Sequence, residues 1–414
     1  MKDPEITARK LGIAAVCLLG STFVPYVQAI VGPLMMLPMI QELGWTRTQY
    51  AFGTTFLFIS GAITVLAFGR MADRFGSRAI LLLGSIGGGI TMLALSRQGP
   101  QLWQLYFSFA LLGAFGSSGL GYTKIIGSLF SRHRGKALAI FGAESTLALA
   151  GLPLLTNALN MHLGWRGTYV VYALVMFALT PVLFLVIRGP GLSEPLHARS
   201  VAPASSTVPL PVMEGLTPAQ IRRDRAFWLI VFTGVLGSGL NAGLTAHIIA
   251  AITDKGFSQS TAAGVLSTAT FIGLVGTLAV GFAMDHFRTA KVMSIFAVFM
   301  AVGAIVFGLA SASVGGLSLL VVGLGIHRIG FHAMMPGTAY LQTRFVGMRF
   351  FGEAFAMQVV VLAVAMGFTP PLFGMIYDRT GSYDVMYWMV AGGALMGALV
   401  YPMLGAYRYK AGSR

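Results

Sequence analysis

The sequence predicts an all-α membrane protein with twelve transmembrane helices in two pseudo-symmetric six-helix bundles. The prediction rests on the composition, the number of apolar runs and an internal repeat. In this chain of 414 residues, 56% of the residues are hydrophobic, 10% are charged, and the mean hydropathy is +0.78. Because a soluble protein carries about 25% charged residues, this chain cannot cover its surface with water-compatible groups and must fold in lipid.

The apolar runs are long enough to cross a bilayer, which takes about 20 mostly apolar residues. They fall at 11–40, 48–69, 79–96, 102–130, 137–158 and 168–188, and again at 226–252, 261–283, 290–310, 316–342, 352–376 and 384–405. The gap between the two sets is rich in proline, serine and charge, which is typical of a flexible linker. We therefore expect one bundle over 1–189, a cytoplasmic linker over 190–220 and a second bundle over 221–414.

The distribution of positive charge predicts the orientation. Most lysines and arginines fall in segments on the side of both termini, whereas the other side holds Arg47, Arg97, Arg166, Lys255 and Arg379. The positive-inside rule then places both termini in the cytoplasm. The formal net charge of +15 does not indicate nucleic-acid binding, because the basic residues lie in short loops between apolar runs. The single Cys17 excludes a disulfide framework.

The two halves resemble one another at a constant offset of 212 residues. Residues 44–58 align with 256–270, and 69–76 align with 281–288. Gly135, after the fourth span, aligns with Gly347. Two copies of a six-helix unit are expected when two bundles enclose a central path and move against each other.

The loop between the second and third spans carries a recognisable motif, GRMADRFGSR at 69–78, with a weaker copy, GFAMDHFR, at 281–288. The first resembles the G-x-x-x-D-R-x-G-x-R signature of the major facilitator superfamily. The resemblance implies a major facilitator fold, a mid-membrane cavity lined by spans 1, 4, 7 and 10, and transport by alternating access. It also implies a conformational gate in which Asp73 meets the start of span 11 and holds the outward-facing state. The gate residues expected on this basis are Gly69, Asp73, Arg74, Gly76, Arg78, Asp285 and Glu353.

Two parts of the motif also have a physical interpretation. We expect Gly69 to allow close helix approach, and Asp73 to accept hydrogen bonds from the positive end of a neighbouring helix. The alternative is that the arginines of the loop act only as positive-inside anchors, which does not account for Asp73 and its flanking glycines.

Ionisable side chains inside the spans indicate the site, because each costs roughly 2.5–3.5 kcal/mol on insertion scales. Arg328 lies near the middle of span 10, and its mirror position in span 4 is Gly116. Lys124 lies in span 4, and His332 follows Arg328 by one helical turn. A planar guanidinium suits a carboxylate, and an ammonium adds a point charge. The alternative for Arg328 is a structural partner, either Glu144 or backbone carbonyl groups.

The expected cargo is a small organic anion, a mono- or dicarboxylate, bound by Arg328, Lys124, Tyr26, Tyr122, Asn241, Ser118, Thr245 and His332. We expect no cofactor and no metal, since His327 and His332 are five residues apart and do not share a helix face. His327 is expected to be a packed or hydrogen-bonded histidine, and His247, near the outer end of span 7, a satisfied interfacial residue rather than a proton relay. The protein is expected to be a monomer in the lipid bilayer, without a nucleic-acid partner.

The energy source depends on Glu144 in span 5, which either carries a proton or neutralises Lys124. Because a buried carboxyl group tends to have a raised pKa, we expect proton symport, with anion exchange as the alternative. Drug efflux is a further alternative, to which Gly151-Leu-Pro153 in span 5 gives a partial signature. A non-transporting receptor is the least supported alternative, and no nucleophile–base pair indicates an enzyme.

The sequence is similar to bacterial monocarboxylate and oxalate–formate porters, which implies a location in the bacterial inner membrane. The similarity includes GWTRTQ before span 2 and a glycine-dense span 4. The cavity arginine here lies in span 10, whereas that subgroup is expected to carry it in span 8.

Overall fold

The computed structural model describes residues 7–24, 27–130, 134–188 and 214–409, and the side chains of 134–140, 142–147 and 149 lie outside this description. The described residues are mainly helical, and their one isolated β-bridge joins Gly215 and Gly347. The chain divides into two compact units. Unit 1 comprises Met1–Trp45 and Phe56–Ser206, and unit 2 comprises Thr46–Thr55 and Thr207–Arg414.

The first half of the chain forms seven helices among the described residues. They are α1 (Ala8–Phe23), α2 (Val27–Leu43), α3 (Arg47–Phe75), α4 (Ser77–Ser96), α5 (Leu102–Gly116), α6 (Leu120–Leu129) and α7 (Arg134–Val186). The expected fourth span is α5 and α6, joined by a 3-10 turn at Ser117–Gly119. The 53 residues of α7 form two consecutive helices rather than one continuous helix. Gly164, with φ 67°, breaks its helical backbone and separates the fifth span from the sixth.

The described residues of the second half form eight helices. They are α8 (Pro218–Arg223), α9 (Arg225–Gly234), α10 (Leu240–Asp254), α11 (Gln259–Phe287), α12 (Val292–Leu309), α13 (Gly316–Phe345), α14 (Phe351–Thr380) and α15 (Asp384–Val400). Ten helices of the described chain are long and apolar enough to cross a membrane. Adding α5–α6 and counting α7 as two crossings gives twelve, so the predicted fold class is confirmed.

The internal repeat is visible in the backbone. Helices α3 and α11 both contain 29 residues, and both of their ends differ by the predicted offset. Gly76 ends the loop after α3 with φ 84°, and its counterpart Arg288 has φ 48°, the one positive φ of a non-glycine residue in the described chain. Both positions thus have a positive φ, but their ψ values differ, 158° at Gly76 and 40° at Arg288, so the two loops follow different backbone paths.

Helix α13 is held at close range by the two helices on either side of it. A Cβ atom at Gly276 of α11 would overlap the carbonyl oxygen of Ile329, and one at Gly303 of α12 would overlap the backbone nitrogen of His327. Small residues allow such close approach in membrane helix packing. These two contacts bracket Arg328 in sequence and fix the backbone that carries it.

Candidate functional site

Arg328 lies at the centre of a hydrogen-bonded group between α13 and α10 of unit 2. Its Nη1 donates to Oδ1 of Asn241 over 3.3 Å, and its Nη2 donates to Oγ1 of Thr245 over 3.1 Å. The two acceptors are one turn apart on α10, where residues i and i+4 share a face. Three residues predicted from the sequence are therefore brought together.

The charge of Arg328 has no counter-charge among the described side chains, since the ion pairs found there join other residues. Arg328 is 4% exposed, and its Nε is buried without a hydrogen-bond partner. A buried cation is costly unless it is paired and hydrogen-bonded. Two neutral oxygens only partly replace the lost hydration, so the group favours an added anion.

The neighbouring histidines have different surroundings. His327 is fully buried, with Nδ1 2.9 Å from the carbonyl oxygen of Met300 and Nε2 3.1 Å from Oδ1 of Asn241. Its predicted packed and hydrogen-bonded state is confirmed. His332 is partly exposed, and the described chain provides no hydrogen bond to its ring. The Phe331 ring lies 5.7 Å from the Arg328 guanidinium, which gives the site an aromatic neighbour.

The backbone just before Asn241 departs from the α-helix. Val235–Gly239 forms a π-helical turn, with three glycines at 234, 237 and 239 in and beside it. Such turns inside longer helices occur frequently at functional sites. The turn directly precedes α10 and so sets the rotation at which Asn241 and Thr245 face Arg328.

Lys124 has a protein partner in unit 1. Its Nζ donates to Oδ1 of Asp73 over 2.5 Å, and both side chains are partly exposed. The structure thus joins the expected cavity lysine to the acid of the loop motif. This carboxylate neutralises Lys124, which sets it apart from Arg328 as a candidate for anion binding.

The other expected ligands of the first half lie in the core of unit 1 or outside the described residues. Tyr122 is fully buried, packs against Gly20 of α1 and belongs to the same hydrophobic cluster as Cys17. Ser118 is also fully buried and packs against Gly84 of α4. These positions favour packing roles. Tyr26 and the side chain of Glu144 lie outside the described residues.

The glycines of the loop motif differ in what they do. A Cβ atom at Gly69 would have no neighbour within 4 Å, so the close helix approach expected there is wrong for this structure. Gly76 is required by its positive φ at the start of α4.

The charged residues of the motif and its copy lie at or near helix ends. Arg78 donates through Nη2 to the carbonyl oxygen of Phe184 over 2.7 Å, and Arg74 lies over the Phe75 ring. Asp285 is exposed near the end of α11, and Glu353 is exposed in the first turn of α14. The expected approach of Asp73 to Glu353 stays a prediction.

Sequence reasoning missed a polar cluster around Arg47, which it treated as one outer positive charge. The guanidinium donates to both carboxylate oxygens of Asp254 over 2.7 and 2.9 Å, and to the Tyr383 hydroxyl over 2.7 Å. The backbone nitrogens of Arg47 and Thr48 donate to Asp378. Burial raises the pKa of Tyr383, so its hydroxyl stays neutral. The acidic residues at the ends of spans in the second half were the available signal.

His247 belongs beside this cluster. Its Nδ1 lies 2.9 Å from the Tyr383 hydroxyl, and its Nε2 lies 2.9 Å from the carbonyl oxygen of Pro370. Both ring nitrogens thus have partners, as expected, although His247 is fully buried rather than interfacial.

Gln28 of α2 was also missed. It is 4% exposed, and neither its amide nitrogen nor its amide oxygen has a hydrogen-bond partner in the described chain. A polar residue inside the first apolar run was the available signal.

No group of three or more histidine, cysteine or acidic residues is arranged in the described chain to hold a metal ion. The polar groups around Arg328 are one cation, two neutral acceptors and histidine rings, a set that matches an anion.

The sequence profile of the Major Facilitator Superfamily matches residues 17–326. The chain belongs to the major facilitator superfamily. It is therefore an integral membrane transporter and not an enzyme, and the resemblance of the loop motif at 69–78 is confirmed at the level of the family.

Similar proteins agree with this assignment. The chain is 27% identical over 415 residues to a gallate transporter of Pseudomonas putida, covering 89% of this chain and 88% of that protein. It is 25% identical over 348 residues to monocarboxylate transporter 11 of Homo sapiens, covering 80% and 69%. A crystal structure of a mutant of the nucleoside transporter NupG covers 96% of this chain and 100% of its own, with a TM-score of 0.78 and 14% identity. That likeness shows the fold alone.

Proposed function

We propose that this major facilitator transporter carries a small organic anion, and that Arg328 binds its carboxylate. The observation that carries the proposal is the buried guanidinium without a counter-charge in the described chain. A carboxylate pairs with a guanidinium through two parallel hydrogen bonds, and Nε is a donor still without a partner. The bound anion thus supplies a hydrogen-bond acceptor for Nε and a negative charge to pair with Arg328.

Two relatives support the choice of a carboxylate. Their names specify gallate and monocarboxylates, and gallate is an aromatic carboxylate. The Phe331 ring lies beside the Arg328 guanidinium, as aromatic rings and cations often do. A carboxylate bound to Arg328 would therefore place its apolar or aromatic part against Phe331. We propose that Asn241 and Thr245 orient the guanidinium and that His332 contacts the bound anion.

Lys124 is assigned a different role. Since it pairs with Asp73, we propose that it links span 4 to the loop motif and that it changes partner during alternating access. In this proposal Arg328 supplies the main contact with the substrate, and Tyr26, Tyr122 and Ser118 contribute less to binding.

Proton symport is the proposed coupling. An anion entering a cell works against the inside-negative potential, worth about 2.3 kcal/mol per charge at 100 mV, and one proton cancels a single negative charge. Glu144 is the proposed proton carrier. We further propose a monomer in the bacterial inner membrane with cytoplasmic termini.

Uptake by purified protein in liposomes tests the function. A panel of radiolabelled carboxylates, aliphatic and aromatic, is offered with and without an inward proton gradient, beside an organic cation and a nucleoside. The proposal predicts accumulation of at least one carboxylate, stimulated by the gradient. Counterflow without any response to the gradient indicates exchange, and accumulation of the cation alone contradicts the proposal.

Glu144→Gln tests the coupling separately. Symport predicts loss of gradient-driven uptake with counterflow preserved, while an unchanged response to pH removes Glu144 from the proton path.

A further inference from the structure

Three arginines meet at one end of unit 1, at the carboxyl end of α7. Arg9 is the second residue of α1, Arg78 is the second residue of α4, and Arg188 lies two residues after the end of α7. The Nη2 of Arg9 donates to the carbonyl oxygen of Arg188 over 2.8 Å. Arg78 and Arg188 both donate to the carbonyl oxygen of Phe184, over 2.7 and 3.3 Å. We call Arg9, Arg78 and Arg188 the arginine cluster.

The end of α7 explains part of this arrangement. The last carbonyl groups of a helix lack intrahelical partners and carry roughly half a negative charge. Three guanidinium groups exceed that charge, and no ion pair with a carboxylate balances them among the described residues. Each guanidinium has five N–H donors, so most donors of the cluster remain for another acceptor.

The cluster lies at the surface that faces lipid. The Phe184 ring lies 4.0 Å from the Arg78 guanidinium and 5.2 Å from that of Arg188. Phe184 is 47% exposed and its neighbour Leu185 is 57% exposed. Large apolar side chains exposed on a membrane helix face the acyl chains of lipids. The guanidinium groups of Arg78 and Arg188, which lie against Phe184, are therefore next to lipid.

The depth of the cluster matches the headgroup layer. The membrane-spanning segments that carry it begin at Ala8 and Ser77 and end at Val186. All three arginines therefore lie within two residues of a span boundary, where long basic side chains reach phosphate groups. The acyl chains of a lipid bound there would cover Phe184 and Leu185.

We propose that the arginine cluster is a binding site for the phosphate headgroup of an anionic phospholipid. The proposal concerns a site other than that of Arg328. Basic pockets between transmembrane helices bind anionic headgroups, and each arginine near an anionic surface contributes about five-fold in affinity. The site unites α1, α4 and α7, so an occupied site joins three helices of unit 1 at one end.

Lipid binding by native mass spectrometry of the full chain in detergent tests the proposal. Phosphatidylglycerol and phosphatidylcholine are added separately, and the charge-matched control replaces Arg97, Arg222 and Arg379 with glutamine. The wild type and the control are expected to prefer phosphatidylglycerol. The triple variant Arg9→Gln, Arg78→Gln, Arg188→Gln is expected to lose that preference, with affinity lower by roughly 100-fold.

A second measurement does not depend on the folding of the variant. Thermal melting of the wild-type protein is followed with phosphatidylglycerol, phosphatidylcholine or inorganic phosphate. Stabilisation by phosphatidylglycerol alone supports a lipid site. Equal stabilisation by the two lipids, an equal effect of inorganic phosphate, or an unchanged preference in a folded triple variant would overturn the proposal.

Discussion

Arg328 and Asn241 face each other between α13 and α10, with Nη1 of the guanidinium 3.3 Å from the carboxamide Oδ1. A permanent charge is thus held by a neutral amide, which also lies 3.1 Å from His327. An amide orients the guanidinium without neutralising it. The pair therefore keeps Arg328 positioned and leaves its charge for an anion.

Asn241→Asp tests this relationship, because it replaces the amide by a fixed carboxylate of nearly equal size. A hydrogen bond to a charged group contributes about 1.5–3 kcal/mol, so we expect a higher melting temperature and carboxylate affinity lower by at least about ten-fold. Thermal melting and equilibrium binding measure the two effects. Thr245→Val is the control, since it removes an acceptor without adding charge. Wild-type affinity in Asn241→Asp contradicts the interpretation.

The Lys124–Asp73 pair predicts a kinetic effect. Because both side chains are partly exposed, its contribution to stability is expected to be at most about 1 kcal/mol. Asp73→Asn and Lys124→Gln are expected to slow transport several-fold and to change substrate affinity by less than two-fold. The exchanged pair Asp73→Lys with Lys124→Asp is expected to recover part of the rate. Transport rates are measured by uptake in liposomes. If the exchanged pair is as slow as the single variants, Lys124 and Asp73 do not act as a pair during transport.

Gly276 predicts a stability effect through α13. Its Cβ would overlap the Ile329 carbonyl oxygen, so Gly276→Ala must displace the helix that carries Arg328. Overpacking of this kind costs about 1–3 kcal/mol, and we expect a lower melting temperature together with weaker substrate binding. Gly281→Ala on the same helix meets no atom within 4 Å and serves as the control. Equal melting temperatures of the two variants would show that the contact between Gly276 and Ile329 does not hold α13 in place.

Gln28 predicts a gain in stability. A buried polar group without a hydrogen bond costs about 1–3 kcal/mol, so Gln28→Leu is expected to raise the melting temperature. Gln342→Leu is the matched comparison, because the Gln342 amide donates to Gln358 and its removal leaves that oxygen unpaired. Lower stability of Gln28→Leu shows that the amide has a partner, such as water or substrate. Uptake by the same variant then tells whether that partner belongs to transport.

Features that depend on local sequence were predictable. The apolar runs indicated the number of spans, and the offset of 212 residues predicted the repeat that appears in the equal lengths and matching ends of α3 and α11. The polar residues Asn241 and Thr245, four positions apart in span 7, and the arginine of span 10 indicated the group that Arg328 forms with them. Helical periodicity alone places such residues on one face.

Features that depend on distant contacts were not predictable. Lys124 and Asp73 are 51 residues apart, and nothing in either segment specifies the other as its partner. The motif predicts a close helix contact at Gly69, but no neighbouring atom lies within 4 Å of a Cβ at this position. Arg47 contacts Asp254 and Tyr383 of the second half, because helix packing decides which span ends meet.

The binding of a carboxylate to purified Arg328 variants tests the central claim most directly. Arg328→Gln keeps a hydrogen-bonding side chain without the charge, and Arg328→Lys keeps the charge without the planar pair of N–H donors. Arg97→Gln removes an exposed arginine elsewhere and is the control. We predict affinity lower by at least about 100-fold in Arg328→Gln, an intermediate loss in Arg328→Lys and no change in Arg97→Gln. Wild-type affinity in a folded Arg328→Gln protein would contradict the account.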